Sequence, residues 1–584
     1  MIRVHSSRSW LARATAGLCL AAFLAAPAAA AEPAGIWKLV VLAFGDEDFA
    51  IVDLHRQDGE AKGVLVDGRK GLLEGGKVLD LKLEDDRASF AVKGPAMTMK
   101  FAGGLAKNGP YAGQVLGTIQ LQNNIFPAKL EKTRDEKLGA AKPNAIGQDF
   151  FKARNEQDPK AQVEKFKAIL AKNAGAPVCQ LAYTGILGAA GAAGLPSAEV
   201  EKLIAAWRSE AEPFGPAWAQ EIAIRSFGLI APQKTYADTA LRLGQELEKS
   251  LTPEVTTENR HAIAGLLAFA ARNAGKADLA ADAEARAAKL DAQLDEEYQK
   301  KVPPFSFTPF EGRKKSDAGQ TVVFELFTGA QCPPCVAADV AFDALLKTYK
   351  PTEFIGLQYH LHVPGPDPLT NPDSEARQKY YGDQVRGTPS TFFNGRPEAP
   401  GGGPMAASED KYNEYRGLID GMLEKKRTAD VTVSAKRTGD EIAILAEATT
   451  PAPSDAAKAD AAKPKAGDKA ASTIKLRLAL TEESIRYVGG NKLRFHHHVV
   501  RALPGGAEGA TIVGGKGKVE IKLDLADVRK RIDEYVSDFA KQQPFHAPPP
   551  AVALKDLSVV AFVQDDLDKT ILGAVSVPVA EATP

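Results

Sequence analysis

FELFTGAQCPPCVAADVAF, residues 324–342, sets Cys332 and Cys335 two residues apart with only prolines between them. The run that leads in, TVVFELF, is β-branched and aromatic and suits a buried central strand. Beyond the second cysteine, Val336, Val340, Ala344 and Leu345 fall on one stripe, which predicts a helix. Cys332 is then expected at the helix N-terminus, with Pro333 and Pro334 in first-turn positions that tolerate a missing N–H. Unpaired backbone donors and the positive end of the helix dipole favour a thiolate there. Three readings compete: a redox pair, a metal clip, or two ordinary core cysteines.

The elements that follow narrow the choice. EFIGLQYHLHV predicts a second strand and NPDSEARQKYYGDQV a helix. RGTPSTFFNGRP predicts a short strand between Pro389 and the hairpin signal Asn394-Gly395. SEDKYNEYRGLIDGMLEKK is an amphipathic helix with Tyr412, Tyr415, Ile419 and Met422 on one face. This succession resembles the thioredoxin-like superfamily over about residues 317–426, and FELFTGAQCPPC is similar to a subgroup of its exported members. The resemblance implies that Cys332 attacks and Cys335 resolves the mixed disulfide. It implies a cis Pro389 lying against the cysteines, with Thr388 pairing to substrate backbone. Gly387, Thr388 and Gln331 are the substrate-binding positions it suggests, although Gln331 stands where the family has tryptophan. The family's buried acid on the preceding strand has its nearest equivalent in Glu325, one residue further from Cys332. Strand side chains alternate, so that shift turns Glu325 to the other face unless a bulge intervenes. Glu325 is either an acid–base residue or a structural acid.

Neither proline can donate an N–H to the sulfur of Cys332. The thiol is therefore expected to be less acidic than in a strong oxidant, and the pair comparatively reducing. The rival metal set, for copper or zinc, is the cysteine pair with His360 or His362, although H-x-H departs from the finger spacing. The run HHH at 496–498 alternates faces on a strand and reads as structural. A further alternative is a non-catalytic binding or scaffold module. No flavin, haem or nucleotide signature occurs, so no cofactor is expected. Electrons are then exchanged with another protein, the expected partners being protein thiol or disulfide substrates or a redox partner protein.

The rest of the chain sets the context. Its 73 basic and 74 acidic side chains leave a net charge of −1, which offers no electrostatic reason for nucleic acid or an anionic membrane as partner. Arg3, Arg8 and Arg13, the apolar ATAGLCLAAFLAAP and the small-residue AAAAE predict a signal peptide over 1–31, cleaved near Ala30 or Ala31. The apolar run is short of the roughly 20 residues that a spanning helix needs. An exported protein of the periplasm or cell surface, with no membrane span after cleavage, is expected. Cys19 leaves with the signal, and Cys179 in APVCQLAY reads as a buried small hydrophobe. The expected architecture is multidomain α+β. Residues 34–133 form a small antiparallel β-barrel or sandwich. Residues 145–302 form helical hairpins, where AGLLAFAARNAGKADLAADAEARAAKL resembles one tetratricopeptide unit and offers a surface for a protein partner or a spacer. A Pro-rich linker, 303–316, precedes the thioredoxin-like domain at 317–427. A C-terminal β-sandwich, 428–584, carries a flexible loop at 450–472 that lacks any large apolar residue.

Overall fold

A computed structural model describes residues 33–581 apart from 43–44, 96, 122–123, 140–144, 254, 318 and 452–472. The expected signal peptide and nearly all of the expected flexible loop lie outside the described residues. The chain divides into two compact units, Met1–Leu294 and Asp295–Pro584.

Eight strands open the first unit: β1 (Gly35–Leu42), β2 (Asp46–Gln57), β3 (Glu60–Gly68), β4 (Lys77–Glu84), β5 (Arg87–Lys93), β6 (Thr98–Leu105), β7 (Val115–Leu121) and β8 (Asn124–Lys132). They pair in the order β3-β2-β1-β8-β7-β6-β5-β4. Val78 of β4 comes directly against Gly63 of β3, so the antiparallel sheet is a nearly closed barrel rather than a sandwich. The period-two pattern fills its interior: Trp37, Leu39 and Val41 meet Val52, Leu54, Phe90 and Phe101 in one core. A bulge in the β1–β2 pairing at Leu39/Val40 adds the local bend that closure needs.

Helices follow: α1 (Ala145–Arg154), α2 (Pro159–Lys172), α3 (Val178–Ala193), α4 (Ser197–Ala211), α5 (Pro216–Ile230), α6 (Ala237–Ser250), α7 (Thr257–Asn273) and α8 (Ala277–Lys301). Side chains set their starts, Asp158 accepting from the Ala161 amide and Thr256 from the Asn259 amide. Trp207, Trp218, Phe166 and Phe227 dominate the helical core, which also takes in Val40, Leu42 and Leu116 of the barrel. Cys179 is buried there as expected, and burial pushes its thiol up.

The second unit contains β9 (Val322–Thr328), α9 (Val336–Thr348), β10 (Phe354–His360), α10 (Pro372–Tyr381), β11 (Ser390–Phe393) and α11 (Ser408–Leu423). After them come β12 (Asp430–Thr438), β13 (Glu441–Thr449), β14 (Ile474–Arg486), β15 (Phe495–Ala502), β16 (Ala510–Thr511), β17 (Lys516–Asp524), α12 (Leu525–Gln542), β18 (Leu557–Asp565), β19 (Ile571–Pro578) and β20 (Ala580–Glu581). β9 is buried along its whole length. Val322, Phe324 and Leu326 face α9 and α11, while Val323 and Phe327 face the side of α10. β11 turns back at Asn394-Gly395, both with positive φ (46° and 79°), as a tight hairpin signal requires.

Two expectations about boundaries meet a different arrangement. Residues 303–316 are docked: Phe305 and Phe307 lie tilted against Tyr412, and Phe310 against Tyr349. Phe305, Phe307 and Phe310 are half-buried there, and the apolar surface they remove from water helps to hold the segment. The C-terminal segment also does not stand as a domain with two sheets of its own. One sheet runs β11-β9-β10-β15-β14-β18-β19, with β15 parallel to β10 through Gln358 and Val499. A second sheet, β17-β13-β12-β20, faces its C-terminal half, and Ile442 and Ile444 share a core there with Leu476, Leu478 and Val559. The sandwich thus borrows one of its sheets from the cysteine-bearing half. Among the described residues no helix is long and apolar enough to cross a membrane.

Candidate functional site

The cysteine pair sits where β9 gives way to α9. Gly329–Gln331 turn the chain, and the Cys332 amide donates back to the Gly329 carbonyl at 3.0 Å. Pro333–Cys335 form a 3-10 turn, and the α-helix proper starts at Val336. The prolines therefore tighten the first turn instead of standing inside the α-helix, a position where neither has an N–H to lose. Cys332 and Cys335 are joined in a disulfide with Cα atoms 5.3 Å apart. Both cysteines are fully buried, at 0 % exposure, whereas the adjoining prolines are exposed.

Thr388 and Pro389 lie beside the disulfide. The Thr388–Pro389 bond is cis, and the Thr388 carbonyl oxygen is 3.6 Å from Cys332 Sγ. The Thr388 hydroxyl donates to the Val363 carbonyl at 2.8 Å, and Ser390 Oγ donates to the Gly387 carbonyl at 2.7 Å. Gly387, Thr388 and Pro389 thus approach Cys332 as one braced segment. Gln331 also lies at the site, but its Oε1 accepts from the Gly490 amide at 3.0 Å, so the chain itself occupies it.

Glu325 is elsewhere. β9 pairs with β10 and β11 without a bulge, so the one-residue shift stands uncorrected. The side chain points to the α10 side of the sheet, away from the helix headed by the cysteines. Arg377 of α10 donates to it through Nε at 2.7 Å and Nη2 at 3.0 Å, and the Tyr381 hydroxyl donates at 2.5 Å. Burial opposes the charge on Arg377, and Glu325 with the neighbouring tyrosines more than offsets it. Glu325 is a structural acid, held in a bidentate pair.

The buried acids on the cysteine side are ones that the motif reading passed over. Asp339 lies one helical turn beyond Cys335 and is 3 % exposed. Thr328 Oγ1 and Gln358 Nε2 each donate to it at 2.9 Å. Burial lifts its carboxyl well above the ordinary range. Asp367 braces the turn before Cys332: its Oδ2 accepts from the Ala330 amide at 2.6 Å and its Oδ1 from the Leu369 amide at 2.8 Å. Burial works against its charge, but His360 and these amides win, and its carboxyl stays below the usual value. The signal for Asp339 was present in the sequence, since an aspartate beside Val336 and Val340 falls within the buried stripe of its helix. The signal for Asp367 was not, because VPGPDPL has no periodicity.

The histidines serve the same scaffold. His360 is wholly buried, with Nδ1 on Asp367 Oδ2 at 2.7 Å and Nε2 on Gln358 Oε1 at 3.1 Å. His362 accepts from the Asp367 amide through Nδ1, and its ring stacks 3.5 Å from that of Phe539. Burial pulls His362 down. His496 lies edge-on to His360 and is pushed down to about 3 by burial. His497 pairs with Asp343, which overcomes burial and lifts it. Both sulfurs and both nitrogens of His360 are committed to these partners. Among the described residues no group of three or more histidine, cysteine, aspartate or glutamate side chains is placed to hold a metal ion.

No family model matches the chain, and no curated protein matches it. Among solved structures the chain is similar to HBP35 of Porphyromonas gingivalis, at 17 % identity over 46 % of this chain and 82 % of that one, with a TM-score of 0.31. So slight a likeness carries no weight for the fold or for the site.

Proposed function

We propose that residues 317–427 adopt a thioredoxin-like fold and that the protein is an exported thiol–disulfide oxidoreductase acting on protein thiols or disulfides. The observation that carries this reading is the Cys332–Cys335 disulfide at the head of α9, with Cys332 Sγ 3.6 Å from the Thr388 carbonyl. The parallel pair β9–β10, the antiparallel β11, and helices on both faces support the fold. The pattern over residues 1–31 supports export to a compartment where disulfides persist.

In this reading a partner's thiolate attacks Cys332 Sγ, the intramolecular S–S bond breaks, and Cys335 leaves as a thiolate that takes up a proton. The partner's second thiol then displaces Cys332, and the partner departs oxidised with both cysteines reduced. In the reverse sequence reduced Cys332 attacks a partner disulfide, Cys335 resolves the mixed disulfide, and the partner departs reduced, with the same balance. The Thr388–Pro389 segment lies where a partner backbone would align with the attacked sulfur. The test is reduction and reoxidation of the purified folded protein in glutathione buffers, together with a Cys335→Ala variant. Reversible interconversion, and a mixed disulfide that accumulates on Cys332 in the variant, are the expected results.

A second reading has one observation in its favour, the complete burial of both cysteines. In that case the disulfide is a structural clip in a binding module. A disulfide that resists reduction until the protein unfolds would select it.

A further inference from the structure

The hairpin between β14 and β15 ends in a loop, Tyr487–Arg494, that lies on the residues immediately before Cys332. Its base is closed by the Tyr487 amide on the Arg494 carbonyl at 3.1 Å. Arg486 and Arg494, one on each side of the base, both reach Asp295, at 2.6 Å each. Leu493 sits against Val336 and Val340 of α9.

The tip is tied to the turn before Cys332. The Asn491 amide donates to the Ala330 carbonyl at 3.0 Å, Asn491 Nδ2 to the Gly329 carbonyl at 3.3 Å, and the Gly490 amide to Gln331 Oε1 at 3.0 Å. The approach is so close that a Cβ on Gly489 would lie 2.1 Å from the Ala330 carbonyl oxygen, a separation no real side chain reaches. Three consecutive residues of the turn are thus read by three consecutive residues of the tip. The base is held by the two ion pairs to Asp295 and by Leu493, whereas the tip carries no large apolar side chain and is held by its hydrogen bonds and by the backbone contact of Gly489 with Ala330. Such a loop lifts at its end while its base stays in place.

We propose that Gly489–Asn491 determine the specificity of the dithiol: they close the approach to Cys332, and a partner's sulfur reaches it only when the tip lifts from Gly329–Gln331. The proposal rests on the exchange reading above. It selects for thin partners, a small thiol or an extended peptide segment, and against a cysteine set in a broad folded surface. A second covering segment is the alternative. Gly403 donates to the Pro334 carbonyl at 2.8 Å and accepts from the Ala337 amide at 3.0 Å, and Gly401 lies against Pro389.

The experiment measures reduction of the disulfide in the full chain by dithiothreitol and by a small dithiol protein, for wild type, Asn491→Ala and Gln331→Ala. The electrons and protons move as written above, and the reductant ends as its own disulfide. Asn491→Ala removes the contact to Gly329 and the one from the Leu493 amide, and is expected to speed reduction about tenfold with the protein reductant, the effect of one or two hydrogen bonds. The gain with dithiothreitol is expected to be smaller. Gln331→Ala frees the tip from the other side and keeps the test open should Asn491→Ala fail to fold. Wild-type rates in both variants, with a disulfide that dithiothreitol reduces in the folded protein, would overturn the proposal and leave the Gly401–Gly403 segment as the barrier. A disulfide reducible in no variant short of unfolding would remove the exchange reading itself.

Discussion

Glu325 and Asp339 show how a single position decides the role of a carboxylate. Both are buried, but one has a guanidinium to neutralise it and the other has only neutral donors. Truncating Arg377 to methionine strands Glu325 without its countercharge, and the expected loss is about 3–5 kcal/mol by urea unfolding. Adding Glu325→Leu to that variant is expected to recover most of the loss, because a buried pair exchanged for apolar groups is often neutral. Asp339 behaves in the opposite sense. Its folded-state carboxyl is raised, so the stability of the protein is full below the ordinary aspartate range and falls as the pH climbs through the raised value. Asp339→Asn keeps an acceptor for Gln358 and a donor for Thr328 and lacks that titration. Its melting temperature is expected to exceed that of the wild type at pH 8, with the gap closing towards pH 4. A gap that does not depend on pH would show that Asp339 does not titrate in this way. Glu325, the acid that the sequence offers before the motif, and Asp339, the buried acid one turn beyond Cys335, lie on different elements. Periodicity fixes which residues share a face, and a one-residue offset on a strand with no bulge is enough to reverse the answer.

At the scale of elements, the strand–turn–helix around Cys332-Pro-Pro-Cys335 was legible because each part carries a local cause. β-branched residues make β9, prolines start the turn, and an apolar stripe makes α9. The Asn394-Gly395 hairpin was legible for the same reason. The 3-10 character of the cysteine turn was not, since propensities do not separate one turn of 3-10 from one of α-helix. That turn has a measurable consequence. Pro333 and Pro334 supply no N–H, and the group beside Cys332 Sγ is a carbonyl acceptor. The dithiol is therefore expected nearer the reducing end of known pairs, around −270 mV, than the oxidising end, around −120 mV. Pro334→Gly restores one amide and is expected to raise the potential by about 30 mV, tenfold in the exchange equilibrium. Equilibration against glutathione measures both values.

The whole second unit has one feature that local patterns could not announce. β10 and β15 are separated by more than a hundred residues, yet they are neighbours in one sheet. Hydrophobic alternation shows that each is a strand and says nothing about which strand lies beside which. The core beneath this junction mixes Val323, Leu357 and Tyr359 with Ala479, Val500, Val560 and Phe562. Tyr380 of α10 meets the same surface, with the cationic groups of Arg477 and Lys569 at 4.6 and 3.9 Å from its ring. A chain cut after residue 427 exposes that core and is expected not to melt cooperatively, whereas the intact 295–584 unit does. Circular dichroism on the two polypeptides checks this.

The shared sheet also imposes an order of events on the newborn polypeptide. Residues 317–427 emerge first and must wait for residue 502 before β15 is complete, an interval of about 4–15 s at typical rates of synthesis. During that wait β10 has one bare edge, the kind of surface that other chains extend or that chaperones cover. The Gly489–Asn491 tip that will lie on Gly329–Gln331 has also yet to be made. An oxidant that could not enter the finished molecule has its opportunity in those seconds.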